Sequence, residues 1–184
     1  MRWCLWELEK CSKTMDKTEI LKRRISVLLW FFMLALILSG ITAFPIKTEI
    51  EILRRVMGED SAMVSVWPGM AHWISFVYRG VVVTSAAYPF LFYGTDWLAF
   101  AHLVIALAFI GPLRDPVKNI WVIEFGMIAC ALVVPLALIC GPIRGIPFFW
   151  RLIDCSFGVF GIMPLWLTRR YVLQIIELQK GASE

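Results

Sequence analysis

Of 184 residues, 60% are hydrophobic and 17% carry charge, and the mean hydropathy is +0.75, which excludes an ordinary soluble domain. The formal net charge of +4 is dispersed at the borders of apolar stretches rather than gathered on one aromatic-lined face, which excludes a nucleic-acid partner. The expected fold class is all-α: a polytopic membrane protein with four transmembrane helices plus short external amphipathic or interfacial helices.

Residues 1–24 alternate charge signs from Glu7 to Arg24 and read as a cytoplasmic amphipathic segment, a helix near the headgroups into which Trp3 and Trp6 can dip. Residues 25–184 read as a single membrane domain. A helical span needs about 20 apolar residues to cross roughly 30 Å of hydrocarbon. Four stretches qualify, 26–44, 97–113, 117–140 and 148–168, the second only just. Lys22-Arg23-Arg24 before the first span has the layout of a signal peptide, but the long leading region with Cys4, Trp6 and four acids favours an uncleaved anchor.

Residues 45–96 form an external interfacial segment. Pro45 ends the first helix. Thr48 and Glu51 make a capping-box pattern for a short helix that Gly58 terminates, with Ile52, Leu53 and Val56 on one apolar stripe. Residues 71–93 are apolar yet carry His72 and Arg79, and Trp67, Trp73, Phe76, Tyr78, Tyr88, Phe90, Phe92, Tyr93 and Trp97 crowd around them. This composition suits a platform lying on the outer leaflet better than a re-entrant segment or a fifth span. Thr95 or Asp96 is the expected cap of the second span.

With four spans and both termini cytoplasmic, twelve of the eighteen basic residues fall inside: Arg2, Lys10, Lys13, Lys17, Lys22, Arg23, Arg24, Arg114, Lys118, Arg169, Arg170 and Lys180. That satisfies the positive-inside rule, and the expected site is the cytoplasmic (inner) membrane of a bacterium. A fifth span would put Arg114, Lys118, Arg169 and Arg170 on the wrong side.

Two loops read alike. Gly111-Pro112-Leu113-Arg114 and Gly141-Pro142-Ile143-Arg144 are each followed, ten residues after the arginine, by an acid, Glu124 and Asp154. Both loops are short and proline-stiffened, so spans two, three and four are expected to pack as one antiparallel unit. If the likeness is a duplication, the copies enter from opposite faces, as in inverted-repeat transporters.

An acid in hydrocarbon costs at least about 2.5 kcal/mol on insertion scales, so each such group is a candidate functional residue until a partner explains it. Asp154 has Arg151 three residues earlier on the same helical face, and an ion pair between them is expected; if Arg151 is instead occupied by headgroup phosphate, Asp154 is left to titrate or bind an ion. Glu124 has only Lys118 and Arg114 nearby, both close to the cytoplasmic border, so its partner must come from another helix. His102 shares its face with Ala99 and Ala106, small residues that mark close helix approach, and hydrogen-bond glue is its expected role ahead of proton relay or haem ligation. His102, Glu124 and Asp154 lie within about 10 Å of their spans' midpoints at 1.5 Å per residue. Two readings follow: a cluster that handles a proton, cation or quinone, or a network that locks three helices in register.

The five cysteines, Cys4, Cys11, Cys130, Cys140 and Cys155, make no Cys-x-x-Cys and have no histidine spaced to complete a zinc site, so neither a metal nor a disulfide framework is expected. No cofactor is identified. A bis-histidine haem is disfavoured because the second imidazole would be His72. No catalytic residue or soluble-enzyme motif is evident. A non-catalytic subunit or accessory factor, with a membrane-protein partner or a second copy of itself, is the expectation ahead of a small carrier or redox-linked subunit.

Overall fold

The computed structural model describes the backbone of residues 2–181 and the side chains of residues 15–181, and every element among them is helical. In chain order these are α1 (Arg2–Ala43), α2 (Ile46–Met57), α3 (Met63–Val66), α4 (Pro68–Ala87), a single 3-10 turn at Pro89–Phe92, α5 (Tyr93–Ala108), α6 (Ile110–Arg114), α7 (Ile120–Ile143) and α8 (Phe148–Lys180). Four helical stretches are long and apolar enough to cross a membrane: Met15–Ala43, Pro89–Arg114, Ile120–Ile143 and Phe148–Lys180. α4, with His72 and Arg79, is not one of them. The side chains of Trp3, Trp6, Cys4 and Cys11 lie outside the described residues.

The expected spans are present with shifted borders. Helix continues wherever no proline or glycine stops it, whereas a hydropathy reading stops at the first cluster of charge. α1 therefore runs unbroken through residues 24 and 25. α8 continues twelve residues past Thr168; at 1.5 Å per residue its 33 residues span about 50 Å, more than the hydrocarbon needs. Two expected caps are absent. Pro45 sets the start of α2 at Ile46, which puts Thr48 inside the first turn, and no side chain caps this end. α5 likewise begins at Tyr93, and the Thr95 hydroxyl donates back to the Phe92 carbonyl at 2.6 Å.

The described chain divides into two compact units, one running to Leu34 and resuming at Leu107, the other Ala35–Ala106. In the first, α7 and α8 pack antiparallel along their length. Glycines let them approach: a Cβ on Gly158 would sit 2.5 Å from the Cys130 carbonyl oxygen, one on Gly161 2.8 Å from Cys130 Sγ, and one on Gly126 2.9 Å from Leu165 Cδ1. Small residues serve this purpose in bilayers because packing, not water exclusion, drives helix association there. Leu21, Ile25, Leu29 and Phe32 form a buried stripe on α1, and the Phe32 ring meets Phe109 with centroids 4.9 Å apart. On the other side of α7, Phe125, Ile128, Leu132, Leu136, Ile139 and Ile143 recur at helical spacing and all are exposed. An apolar stripe facing outward for the whole length of a helix is a surface for lipid.

In the second unit, the end of α1 meets α5 at another bare backbone. A Cβ on Gly40 would lie 2.9 Å from the Ala99 carbonyl oxygen and 3.2 Å from His102 Cβ. α2 packs against α4, with Ile50 of α2 and Met70, Ala71 and Ile74 of α4 buried. The Ser75 hydroxyl on α4 accepts from the Glu59 amide at 2.9 Å and ties the turn after α2 to α4.

Candidate functional site

The α7–α8 pair brings together the first of the three titratable groups singled out above. Glu124 stands one turn into α7, and Arg169 of α8 donates to it, Nε to Oε1, at 2.8 Å. The partner does come from another helix, 45 residues along the chain. Both side chains are about two-fifths exposed, at the end of the α7–α8 pair that the distribution of Lys and Arg assigns to the cytoplasmic border. A carboxylate on an apolar span is costly when unpaired, and Arg169 supplies the partner it needs.

Asp154 is elsewhere. Given the antiparallel register that sets Glu124 beside Arg169, the fifteen residues from Asp154 to Arg169 at 1.5 Å each place the two acids about 22 Å apart along the pair. Glu124 and Asp154 therefore do not share a site. The expected ion pair between Arg151 and Asp154 is not formed either, and Asp154 has no hydrogen-bond or ion-pair partner among the described residues. Helical spacing permits that pair, but the Arg151 stem takes another route: it lies across Gly141 of α7, and its guanidinium stands 5.2 Å from the centre of the Phe148 ring. A side chain on Gly141 would occupy the space of Arg151 Cγ and Cδ.

His102 lies in the other unit, on α5. Its Nδ1 is 2.8 Å from the Leu98 carbonyl oxygen one turn earlier. A carbonyl only accepts, so Nδ1 carries the proton of that bond. Ala99 and Ala106 on the same face are buried, as expected of small residues at a close approach, and it is Gly40 of α1 that backs onto His102 Cβ.

The two Gly-Pro loops have comparable local roles. Gly111 and Pro112 lie within α6, which ends at Arg114; Gly141 and Pro142 lie in the last turn of α7, and Arg144 is its first residue beyond. Each glycine also lies against a polar side chain at the start of the following helix, Asn119 just before α7 at Gly111 and Arg151 in the first turn of α8 at Gly141. Asn119 had no signal in the sequence beyond its position. Its amide donates to the Gly111 carbonyl at 3.2 Å and to the Asp115 carbonyl at 2.9 Å, closing the end of α6 onto the start of α7. The Lys118 amide donates to Asp115 Oδ1 at 3.1 Å, which holds the Asp115 carboxyl below its ordinary value.

A second polar group lies outside the four candidate spans. Glu59, in the turn after α2, accepts from His72 Nδ1 at 2.7 Å and from Arg79 at 3.3 Å, both on α4. Beside it Arg54 pairs with Asp60 and places its guanidinium 4.8 Å from the centre of the Tyr78 ring. The bond from His72, then that from Arg79, holds the Glu59 carboxyl below its ordinary value. His72 and Arg79 were visible as polar residues in an apolar stretch; Glu59, thirteen and twenty residues away, was not.

Among the described residues no three His, Cys, Asp or Glu converge on a metal position. The class is thus a four-span helical membrane protein with an ion pair joining α7 and α8 and, outside the candidate spans, a helical hairpin from α2 to α4. Comparison with family models, with curated proteins and with solved structures finds no match for this chain.

Proposed function

We propose that this chain is a non-catalytic subunit or accessory factor of a membrane complex, in the cytoplasmic membrane of a bacterium, with both termini cytoplasmic. The observation that carries the reading is the Glu124–Arg169 pair. A carboxylate bonded to a guanidinium on the neighbouring helix ties two helices together at one register, which is a structural task. The distribution of Lys and Arg supports the orientation. The α2–α4 hairpin and the outward apolar faces of the spans supply surface for a partner protein or a second copy.

Asp154, half-buried and without a partner among the described residues, supports a second reading: a small carrier or redox-linked subunit handling a proton, cation, quinone or haem. The alignment of Gly111–Glu124 with Gly141–Asp154, in which both Gly-Pro pairs fall in the last turn of a helix, supports an inverted duplication under that reading. Purification from the native membrane separates the two. An accessory factor co-purifies with a partner, and Glu124→Gln weakens that assembly while Asp154→Asn leaves it intact. A carrier purifies alone, and Asp154→Asn gives a folded protein without its membrane activity. An absorption spectrum with a Soret band would assign the redox reading to haem.

A further inference from the structure

We infer that Arg151 and Arg144, at the turn between α7 and α8, form a binding site for a phosphate-bearing anion. Arg151 is seated rather than free. Gly141, lacking a side chain, lets its stem cross α7, and the Phe148 ring supports its guanidinium from one side. Its Nε is buried without a hydrogen-bond partner, and it declines the carboxylate one turn along its own helix. An arginine held in place yet spared from its obvious acid keeps its donor fork for something else.

Arg144 stands three residues after Gly141, so it is one turn from the point where the Arg151 stem crosses α7. It too has no ion-pair partner among the described residues. From Gly141 to Ile153 the chain contains no acid. Both arginines thus belong to the α7–α8 turn, the next acid along the chain, Asp154, pairs with neither of them among the described residues, and the amino end of α8 adds the positive end of its dipole.

The chemistry that fits is a planar donor fork on a tetrahedral oxyanion. Phosphate is favoured because this turn joins two spans, at the depth where lipid phosphates lie. The same chemistry could be met by a lipid headgroup or by free phosphate. The site is independent of the accessory-subunit reading above.

Native mass spectrometry of the full chain in neutral detergent tests it, with phosphatidylglycerol, phosphatidylcholine or inorganic phosphate added at matched concentration. Wild type is expected to retain one phosphatidylglycerol and little phosphatidylcholine. Arg151→Gln should weaken that retention about tenfold, and Arg144→Gln several-fold. Gly141→Ala keeps every charge but fills the seat of the Arg151 stem, so it should lose the lipid as well. If Arg151→Gln does not fold, as judged by circular dichroism, Arg151→Lys replaces it and is expected to weaken binding because the fork is gone. Retention of inorganic phosphate, or its competition with the lipid, assigns the site to free phosphate; retention of the lipid alone assigns it to headgroups. Equal retention by wild type and Arg151→Gln overturns the inference. So does loss in Arg151→Gln with none in Gly141→Ala, which would be a general effect of charge, or equal retention of phosphatidylcholine.

Discussion

At the scale of single residues, helical spacing proved a guide to what is allowed rather than to what forms. Arg151 and Asp154 are correctly spaced for an ion pair, yet the arginine stem follows the open channel that Gly141 leaves on the neighbouring helix. Glu124 shows the converse. Its partner Arg169 is 45 residues away, and no periodicity within one helix could have named it; only the requirement for a partner from another helix was legible. The pair should behave as a coupled unit. Glu124→Ala or Arg169→Ala is expected to cost about 1–3 kcal/mol, since each leaves a half-buried charged partner unpaired. The double replacement should cost less than the sum of the two. Reversible unfolding in mixed micelles measures this, and strictly additive losses would show that the pair contributes nothing.

At the scale of elements, bare glycine backbone decides where helices touch. Gly158→Ala would drive a methyl into the Cys130 carbonyl, and the resulting overpacking between α7 and α8 is expected to cost about 1–3 kcal/mol. Gly80, in the middle of α4, has nothing within 4 Å of its Cβ position. Gly80→Ala should therefore be neutral or stabilise by about 0.5–1 kcal/mol, through helix propensity alone. Opposite signs at these two glycines in one unfolding assay are the expected result.

The α2–α4 hairpin has its own pH dependence. Glu59 has a carboxyl lowered in the folded protein by His72 and Arg79, with Arg54 and Asp60 the other charged groups beside it. A lowered carboxyl contributes stability that is present above its ordinary value of 4.5 and that is lost as pH falls through the folded value below it. Limited proteolysis of residues 46–87 should find the hairpin protected at neutral pH and more readily cleaved below about pH 4.5. Glu59→Gln should be cleaved more readily at neutral pH and show little of this acid-dependent change. The two helices were foreseeable from sequence as an amphipathic stripe and an apolar run; the carboxylate that pins them was not, because exposed loop acids carry no pattern.

At the scale of the whole molecule, the number of spans was the most legible feature, since length and apolarity are local properties. Their ends were less so. α1 and α8 continue as helix into charged sequence because hydrogen bonding along the backbone does not depend on side-chain polarity. The sharing of one site by Glu124 and Asp154, expected from their depths, is not what the structure shows. Depth along each span can be estimated from residue number, but the offset between antiparallel neighbours is set by which glycines meet which backbone, and that offset separates Glu124 from Asp154. The proposed orientation, with both termini cytoplasmic, makes a direct prediction for impermeant thiol reagents on intact cells, using single cysteines in an otherwise cysteine-free chain. Glu59→Cys and Gly145→Cys should react from outside, and Asp115→Cys and Lys180→Cys only after the membrane is opened. The reverse pattern would invert the orientation.

The distance along the chain between Glu124 and Arg169 also bears on biogenesis. When α7 leaves the ribosome its carboxylate has no counter-ion, and 45 more residues must be translated before the guanidinium exists. At roughly 5–20 residues per second that interval is about 2–9 s. For those seconds the nascent helix holds a carboxyl without its partner, so its final packing is decided only when α8 arrives.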